Sequence, residues 1–391
     1  MSETRRYTMT SLFMRLKEIG QKHPIFVILS IGFLLRLAAA ILSLDLDSTS
    51  EHFLYFEMPN AWLDNIEYQS DHSYTEPKGI SLFYLSLNYA WLAVLKFIGI
   101  NNVVWLTFLS RILHAFISLF VISFGYRIAE LLSSKRAAIM AACALAFFWF
   151  LPFVSVYTTP AFVCIIFLMY ATLIILRQEI NRYESKSANV HRTSFIIAGF
   201  FLGLGFSTYY QCMPYILGIL IALMLSRNIK NALVTLIGFM ISTSIVLVIP
   251  DLMVWGKPFA ELQAFIEAAP RFMFFETQHL IILATGLLFI ILGTIPPLSI
   301  MLSCGFFKNY RRKFLLFFPS ILVILFYIFS NSSIWLLLPI FPIYLILGVI
   351  GWKEIVEQSS FWKNHIALHK TLIGISIFIN LASLIYVMIM I

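Results

Sequence analysis

The sequence predicts an all-α polytopic membrane protein with about 11 transmembrane helices, and four observations carry that prediction. Apolar runs of about twenty residues recur along the whole chain. Mean hydropathy is +0.89, and 60% of the 391 residues are hydrophobic against 12% charged. Strand-period alternation is absent; a bilayer-spanning backbone must satisfy its own hydrogen bonds, so helices remain and a barrel falls away. Finally, Lys and Arg fall in short clusters between apolar runs, as the positive-inside bias produces, so the net charge of +8 reads as topology and not as nucleic-acid binding.

Residues 1–24 are basic and lack a small-residue cleavage site, so they are expected to stay cytoplasmic with the run from 25 to 44 kept as the first span. Residues 25–391 then form one transmembrane domain, with further spans predicted at 104–126, 137–152, 159–176, 194–208, 212–226, 231–249, 279–303, 314–329, 334–350 and 371–391. The segment "ISLFYLSLNYAWLAVLKFIGI", residues 80–100, is apolar enough to cross but carries Asn88 and Lys96. Charge parity argues against a crossing. Without it, the clusters at Arg5 to Lys22, Arg127 to Arg136, Arg177 to Arg192, Arg227 and Lys230, Lys308 to Lys313, and Lys353 to Lys370 all lie on the cytoplasmic side. An extra crossing reverses every cluster after the first. An interfacial or re-entrant helix is therefore predicted for 80–100. The Pro-rich pieces "GTIPPLS" and "LPIFP" read as kinks or ends of spans. Cys143, Cys164, Cys212 and Cys304 lie in or at the end of apolar runs without paired spacing and read as small core residues.

This topology puts most of the 19 carboxylates on the outer side, in two long loops. The first, 45–103, carries Asp45, Asp47, Glu51, Glu57, Asp64, Glu67, Asp71 and Glu76; the second, 250–278, adds Asp251, Glu261, Glu267 and Glu276. Ser48 to Glu51 form an S-x-x-E capping box ahead of "FLYF", so Glu51 has a structural role open to it as a helix cap. Its functional role is general base: a carboxylate held at the membrane surface, its pKa raised by partial burial, deprotonates an acceptor hydroxyl. Asp47, Glu51 and Glu57 are the catalytic candidates. Arg36 is expensive in the first span unless it meets an anion or a nearby carboxylate. With Lys78, Arg111, Lys257 and Arg271 it forms the set of cations that could hold the phosphate of a lipid-linked substrate, and Asp251 joins them as a substrate-binding candidate. Lys96 reads as an interfacial snorkeller. His52, His72 and His279 lack metal-site spacing, and His114 inside a span reads as a hydrogen-bonded packing residue. Glycine-rich phosphate loops, nucleophile elbows and Cys-based zinc patterns are absent. No cofactor is expected, with a divalent metal left open.

The arrangement resembles the GT-C superfamily of integral-membrane glycosyltransferases, and within it glycosyltransferase family 22, the dolichol-phosphate-mannose-dependent α-mannosyltransferases. Glu51, Phe53 and Glu57 in "SEHFLYFE" fall where that family's first luminal loop carries a Glu, an aromatic and a second Glu. "TEPKGISLFY", "DLMVWGKPF", "GTIPPLSIM" and "LLLPIFPIYLILG" are similar to later family segments. Ser50 stands at the place of the family's catalytic Asp, and Asn331, Ser332 and Ser333 replace a His-Lys-Glu sequence, so Glu51 or Asp47 has to substitute as base. Lys78, after Pro77, stands in for the Lys-Pro of members that use bacterial polyprenyl-phosphate sugars. The resemblance implies transfer of a hexose, with mannose in first place, from a polyprenyl-phosphate donor to a lipid-linked or secreted glycan acceptor. The membrane is then a bacterial inner membrane or the endoplasmic reticulum. The alternative is a transporter or flippase of a lipid-linked sugar or other amphipathic lipid, which related halves and acidic groups at the bilayer midplane would mark.

Overall fold

The structure, a computed structural model, describes residues 23–42, 52–64, 76–184, 191–268, 297–311, 313–330 and 334–390. Among them regular structure is entirely helical. In chain order the helices are α1 (Pro24–Leu42), α2 (Met58–Leu63), α3 (Leu82–Phe97), α4 (Val103–Leu132), α5 (Lys135–Phe147), α6 (Phe150–Val154), α7 (Pro160–Glu184) and α8 (Arg192–Thr208). They continue as α9 (Met213–Leu225), α10 (Ile229–Trp255), α11 (Ala260–Ala268), α12 (Leu298–Phe307), α13 (Phe314–Ser330), α14 (Phe341–Gln358), α15 (Ser360–Asn364) and α16 (Ile366–Met390).

Among the described residues six segments are long and apolar enough to cross a membrane: Pro24–Leu42, Val103–Leu132, Pro160–Arg182, Ile229–Trp255, Ile334–Gln358 and Ile366–Val387. Shorter apolar helices, α3, α8, α12, α13 and the segment Tyr210–Leu225, accompany them. Burial ranks the six. The Ile334–Gln358 segment is 89% buried and forms the centre, whereas Ile366–Val387 is 17% buried and lies at the edge. Edge helices carry exposed Phe26, Met253 and Phe378, the inverted pattern of a body solvated by lipid.

Close approach of helices relies on small residues, as packing in lipid requires. A Cβ on Gly199 of α8 would lie 1.9 Å from the Thr235 carbonyl oxygen of α10, and one on Gly238 would lie 2.1 Å from that of Ile196. The two backbones touch, and nothing larger than hydrogen fits between them.

The span expected at 137–152 is broken. α5 ends at Phe147 and α6 starts at Phe150, and α16 repairs the gap: Asn380 Nδ2 donates to Phe147 O at 2.7 Å and Asn380 Oδ1 accepts from Trp149 N at 3.1 Å. Arg36 attends the same helix end. Its Nη1 donates to Gly32 O at 3.0 Å and Ala146 O at 3.3 Å, and its Nη2 to Leu145 O at 3.2 Å. Among the described residues Arg36 is held by the last carbonyls of α5, which have no partner inside their own helix and attract a cation; Asp45, Asp47 and Glu51 lie outside the described residues.

At the basic end, Lys353 Nζ reaches Ser134 Oγ at 3.0 Å and Glu357 at 3.4 Å. Lys313, in the turn between α12 and α13, lies 3.6 Å from Glu354. Burial pushes its ammonium below the usual lysine range, and Glu354 opposes that shift.

Candidate active site

At the opposite end of the bundle, the segment 76–81 is clasped by the chain after α10. A tight turn with Gly256 and Phe259 both at positive φ (66° and 57°) reverses the chain into α11, whose first turn carries Glu261. That carboxylate is fully buried. Its Oε2 accepts the successive backbone N–H groups of Lys78 (3.0 Å), Gly79 (2.7 Å) and Ile80 (3.0 Å), and its Oε1 accepts Trp255 Nε1–H at 2.9 Å. Successive N–H groups around one anion form a nest, and charge-assisted bonds to it are the strong kind. Gly79 is required twice: its φ is +75°, and a Cβ there would lie 2.8 Å from Phe265 Cα. Asp251, in the last turn of α10, completes the clasp by accepting Glu261 N–H on Oδ2 at 3.3 Å.

The clasp continues into α3. Ser81 Oγ accepts from Tyr84 N at 3.0 Å as the N-cap and donates to Ser207 O of α8 at 2.6 Å. One turn on, Tyr84 faces His114 of α4. His114 Nδ1 lies 2.8 Å from Ser110 O, and a carbonyl only accepts, so Nδ1 carries the proton and Nε2 accepts the Tyr84 hydroxyl at 2.8 Å. Trp91 Nε1 donates to Ser110 Oγ at 3.1 Å, and the Tyr55 ring meets Tyr84 edge-on at 5.0 Å. Arg111, one turn from His114 toward the start of α4, is 2% exposed, with its guanidinium carbon 5.6 Å from the centre of the Tyr157 ring.

The sequence-derived candidates are distributed unevenly about this clasp. Asp47, Glu51 and Arg271 lie outside the described residues, as do the capping box, His72 and His279. Glu57 is half-buried at the end of a π-helical turn, Phe53–Glu57, whose widened bond from Met58 N to Phe53 O leads into Pro59 without a break. Its carboxylate makes no hydrogen bond or ion pair among the described residues. Lys78 and Asp251 are both in the clasp, Lys78 through its backbone and with an exposed side chain. Arg111 lies under Tyr157 behind the Tyr84–His114 pair. Lys257 is exposed on the turn before α11. Arg36 is committed to the α5 carbonyls. Lys96 pairs with Asp64 at 2.6 Å and also reaches Asn60 O at 3.2 Å, tying α3 to α2. His52 stacks on Phe56 at 4.8 Å between ring centres. No group of three or more His, Cys, Asp or Glu able to hold a metal occurs among the described residues.

Sequence reasoning placed Glu261 in the outer loop without giving it a partner. The nest it fills lies 181 to 183 residues away in the chain, and the glycine of the "KGI" that forms it carried the only local signal.

No known family profile matches the chain, and no curated protein matches it in sequence. Its fold does have solved counterparts. ArnT from Cupriavidus metallidurans, bound to undecaprenyl phosphate, matches with a TM-score of 0.59 at 12% identity, over 88% of this chain and 62% of that one. The oligosaccharyltransferase of Archaeoglobus fulgidus in the apo form matches with a TM-score of 0.51 at 12% identity, over 94% and 55% of the two chains. AglB, the archaeal oligosaccharyltransferase from Archaeoglobus fulgidus in complex with an inhibitory peptide and a dolichol-phosphate, matches with a TM-score of 0.50 at 13% identity, over 95% and 55%. The chain therefore shares the membrane fold of these proteins and spans less than two thirds of the length of the solved chains.

Proposed function

We propose that the chain is an inverting membrane glycosyltransferase that moves a hexose, with mannose in first place, from a polyprenyl-phosphate donor to a hydroxyl of a lipid-linked or secreted acceptor. The observation that carries this reading is the fold shared with a protein captured on undecaprenyl phosphate. The clasped loops at the acidic end supply the place where such a headgroup would meet polar side chains.

The chemistry is a displacement at the anomeric carbon. The acceptor oxygen forms the new bond to that carbon, the bond from carbon to phosphate oxygen breaks, and the electron pair leaves with polyprenyl phosphate. The acceptor proton passes to a carboxylate of the first loop, Asp47 or Glu51, with Glu57 third. Charge building on the departing phosphate is met by a cation, for which Lys78, Arg111, Lys257, Arg271 and Arg36 are the candidates. Arg36 ranks last because it caps α5. The donor carries its own activation, so the reaction calls for no nucleotide site. This assigns the acidic end to the exoplasmic side and the amino terminus to the cytoplasm.

The test is transfer of radiolabelled hexose from polyprenyl-phosphate donors by the purified protein, comparing wild type with Asp47→Asn, Glu51→Gln and Lys78→Ala. Loss of the base is expected to slow transfer by about 100-fold or more. Transfer unaffected by all three changes would remove the site assignment. Donor movement across liposomes without transfer would replace the enzyme with a flippase.

A further inference from the structure

The turn between α3 and α4 carries an open cavity of about 470 Å³, lined by Gly99, Ile100, Asn101, Asn102 and Trp105. Its backbone is fixed on both sides. α3 ends in a Schellman motif, in which Gly99, at φ +91°, donates its N–H to Lys96 O at 2.9 Å and Ile100 N donates to Leu95 O at 3.0 Å. α4 starts at Asn102, whose Oδ1 accepts the N–H groups of Val104 at 2.9 Å and Trp105 at 3.4 Å. These four N–H groups are thereby spent, and what the cavity offers is side chains. Asn102 Nδ2, the Asn101 amide and Trp105 Nε1 make no hydrogen bond among the described residues. Asn101 and Asn102 are exposed, and Trp105 is 57% exposed with its ring edge-on to Phe108 at 5.9 Å, so much of the indole is open to a ligand.

These groups define the ligand. No charged side chain lines the cavity, and Lys96, one turn back in α3, is paired with Asp64, so a phosphate finds no cation there. Amides that both donate and accept, beside an open aromatic face, suit a neutral ring with hydroxyls on its rim and C–H groups on its faces, which is a sugar. Position narrows the choice further. α3 has 16 residues and a length of about 24 Å, so the cavity and the clasp lie at opposite ends of it. From Asn102 to the exposed Arg127, α4 rises about 37 Å against about 30 Å of hydrocarbon, which lifts the turn to the headgroup layer when Arg127 lies at the cytoplasmic face. Phe97 and Ile98, exposed and apolar beside the cavity, keep it against the lipid interface. A cavity a helix length from the clasp is out of reach of the reacting hydroxyl. It suits a sugar farther along an acceptor that is itself anchored in lipid.

We propose that the cavity at Asn101, Asn102 and Trp105 is a subsite for a neutral sugar of an oligosaccharide acceptor, remote from the hydroxyl that reacts; the inference rests on the transferase reading above. It makes the acceptor a lipid-linked oligosaccharide in place of a single sugar.

The test uses the purified full chain in phosphatidylcholine nanodiscs, with saturation-transfer NMR on neutral trisaccharides (mannotriose, maltotriose and cellotriose) and a separate binding measurement with polyprenyl phosphate. Wild type is expected to bind at least one trisaccharide. Trp105→Ala should weaken that binding about three- to tenfold, and Asn101→Ala about threefold, because both leave the Asn102 cap and the Schellman turn in place. Wild type that takes up polyprenyl phosphate but none of the trisaccharides overturns the subsite and leaves the transferase reading standing. Trisaccharide binding that neither substitution weakens overturns it as well. Wild type that binds no polyprenyl phosphate overturns the transferase reading, and with it the assignment of the sugar to an acceptor. A lipid occupant is tested through the Trp105 emission, taken as wild type minus Trp105→Phe: quenching by lipids brominated along their acyl chains puts the cavity in hydrocarbon and overturns the subsite.

Discussion

Glu261 is a buried charge held by amides. Four N–H donors within 3.0 Å converge on the carboxylate, so the protein's own dipoles solvate it inside a buried joint. This arrangement fixes the loop 76–81 by its backbone, with the Lys78 side chain exposed. Glu261→Gln retains the shape and removes the charge, and one of its two amide positions must turn N–H toward N–H. A loss of about 2–3 kcal/mol of stability is expected, read as a lower Tm in detergent together with faster proteolysis within 76–81. An unchanged Tm and cleavage pattern would mean the clasp is decorative. The contrast between Glu261 and Arg36 shows what sequence reading delivers at this scale. Arg36 reads as an expensive charge in the first span and Glu261 as one of the outer-loop carboxylates. Their partners are backbone groups of distant segments, and backbone groups leave no trace in residue identity, so the nest at Lys78 to Ile80 and the α5 carbonyls at 145 and 146 were not legible.

The apolar spans were legible as elements because length and hydropathy are additive along the chain, and α1, α4, α7, α10, α14 and α16 each contain or overlap an expected span. Breaks were not. Residues 137–152 read as one continuous run, and Asn380, more than 230 residues away, explains how the Phe147 carbonyl and the Trp149 N–H at the break are satisfied inside an apolar body. A lone Asn in the apolar run of α16 looked like nothing in particular, since its meaning lies in another helix. Asn380→Leu is the direct test. Leucine leaves both backbone groups unpaired, so destabilisation of about 1–3 kcal/mol is expected. It should appear as a lowered Tm with α16 detaching first, seen as faster hydrogen exchange at Ile366–Val387 than elsewhere. Because this segment is only 17% buried, little else holds it to the bundle. Exchange at wild-type rates in the variant would show that the Asn380 pair is incidental.

At the scale of the whole molecule, charge and fold make one argument. Among the described residues Asp251 and Glu261 meet where α10 joins α11, while Lys313 and Lys353 pair with Glu354 and Glu357 at another end. In the proposed reading the positive-inside bias turns the basic end to the cytoplasm and the clasp away from it, where an exoplasmic headgroup reaction would need it. The acidic end was visible in the sequence as a density of Asp and Glu. That two of these residues, Asp251 and Glu261, serve the clasp was invisible, since counting charges does not distinguish a catalytic carboxylate from one solvated by amides. Orientation is checked with membrane-impermeant maleimide on sealed vesicles, in a Cys304→Ser background that removes the one exposed native thiol among the described residues. Lys257→Cys, on the exposed turn before α11, is expected to label only from the exoplasmic side. Arg136→Cys, in the first turn of α5 beside the basic cluster, should label only from the cytoplasmic side. The reverse pattern would place the clasp in the cytoplasm and remove the premise that an exoplasmic acceptor meets the first-loop carboxylates, whatever the fold resembles.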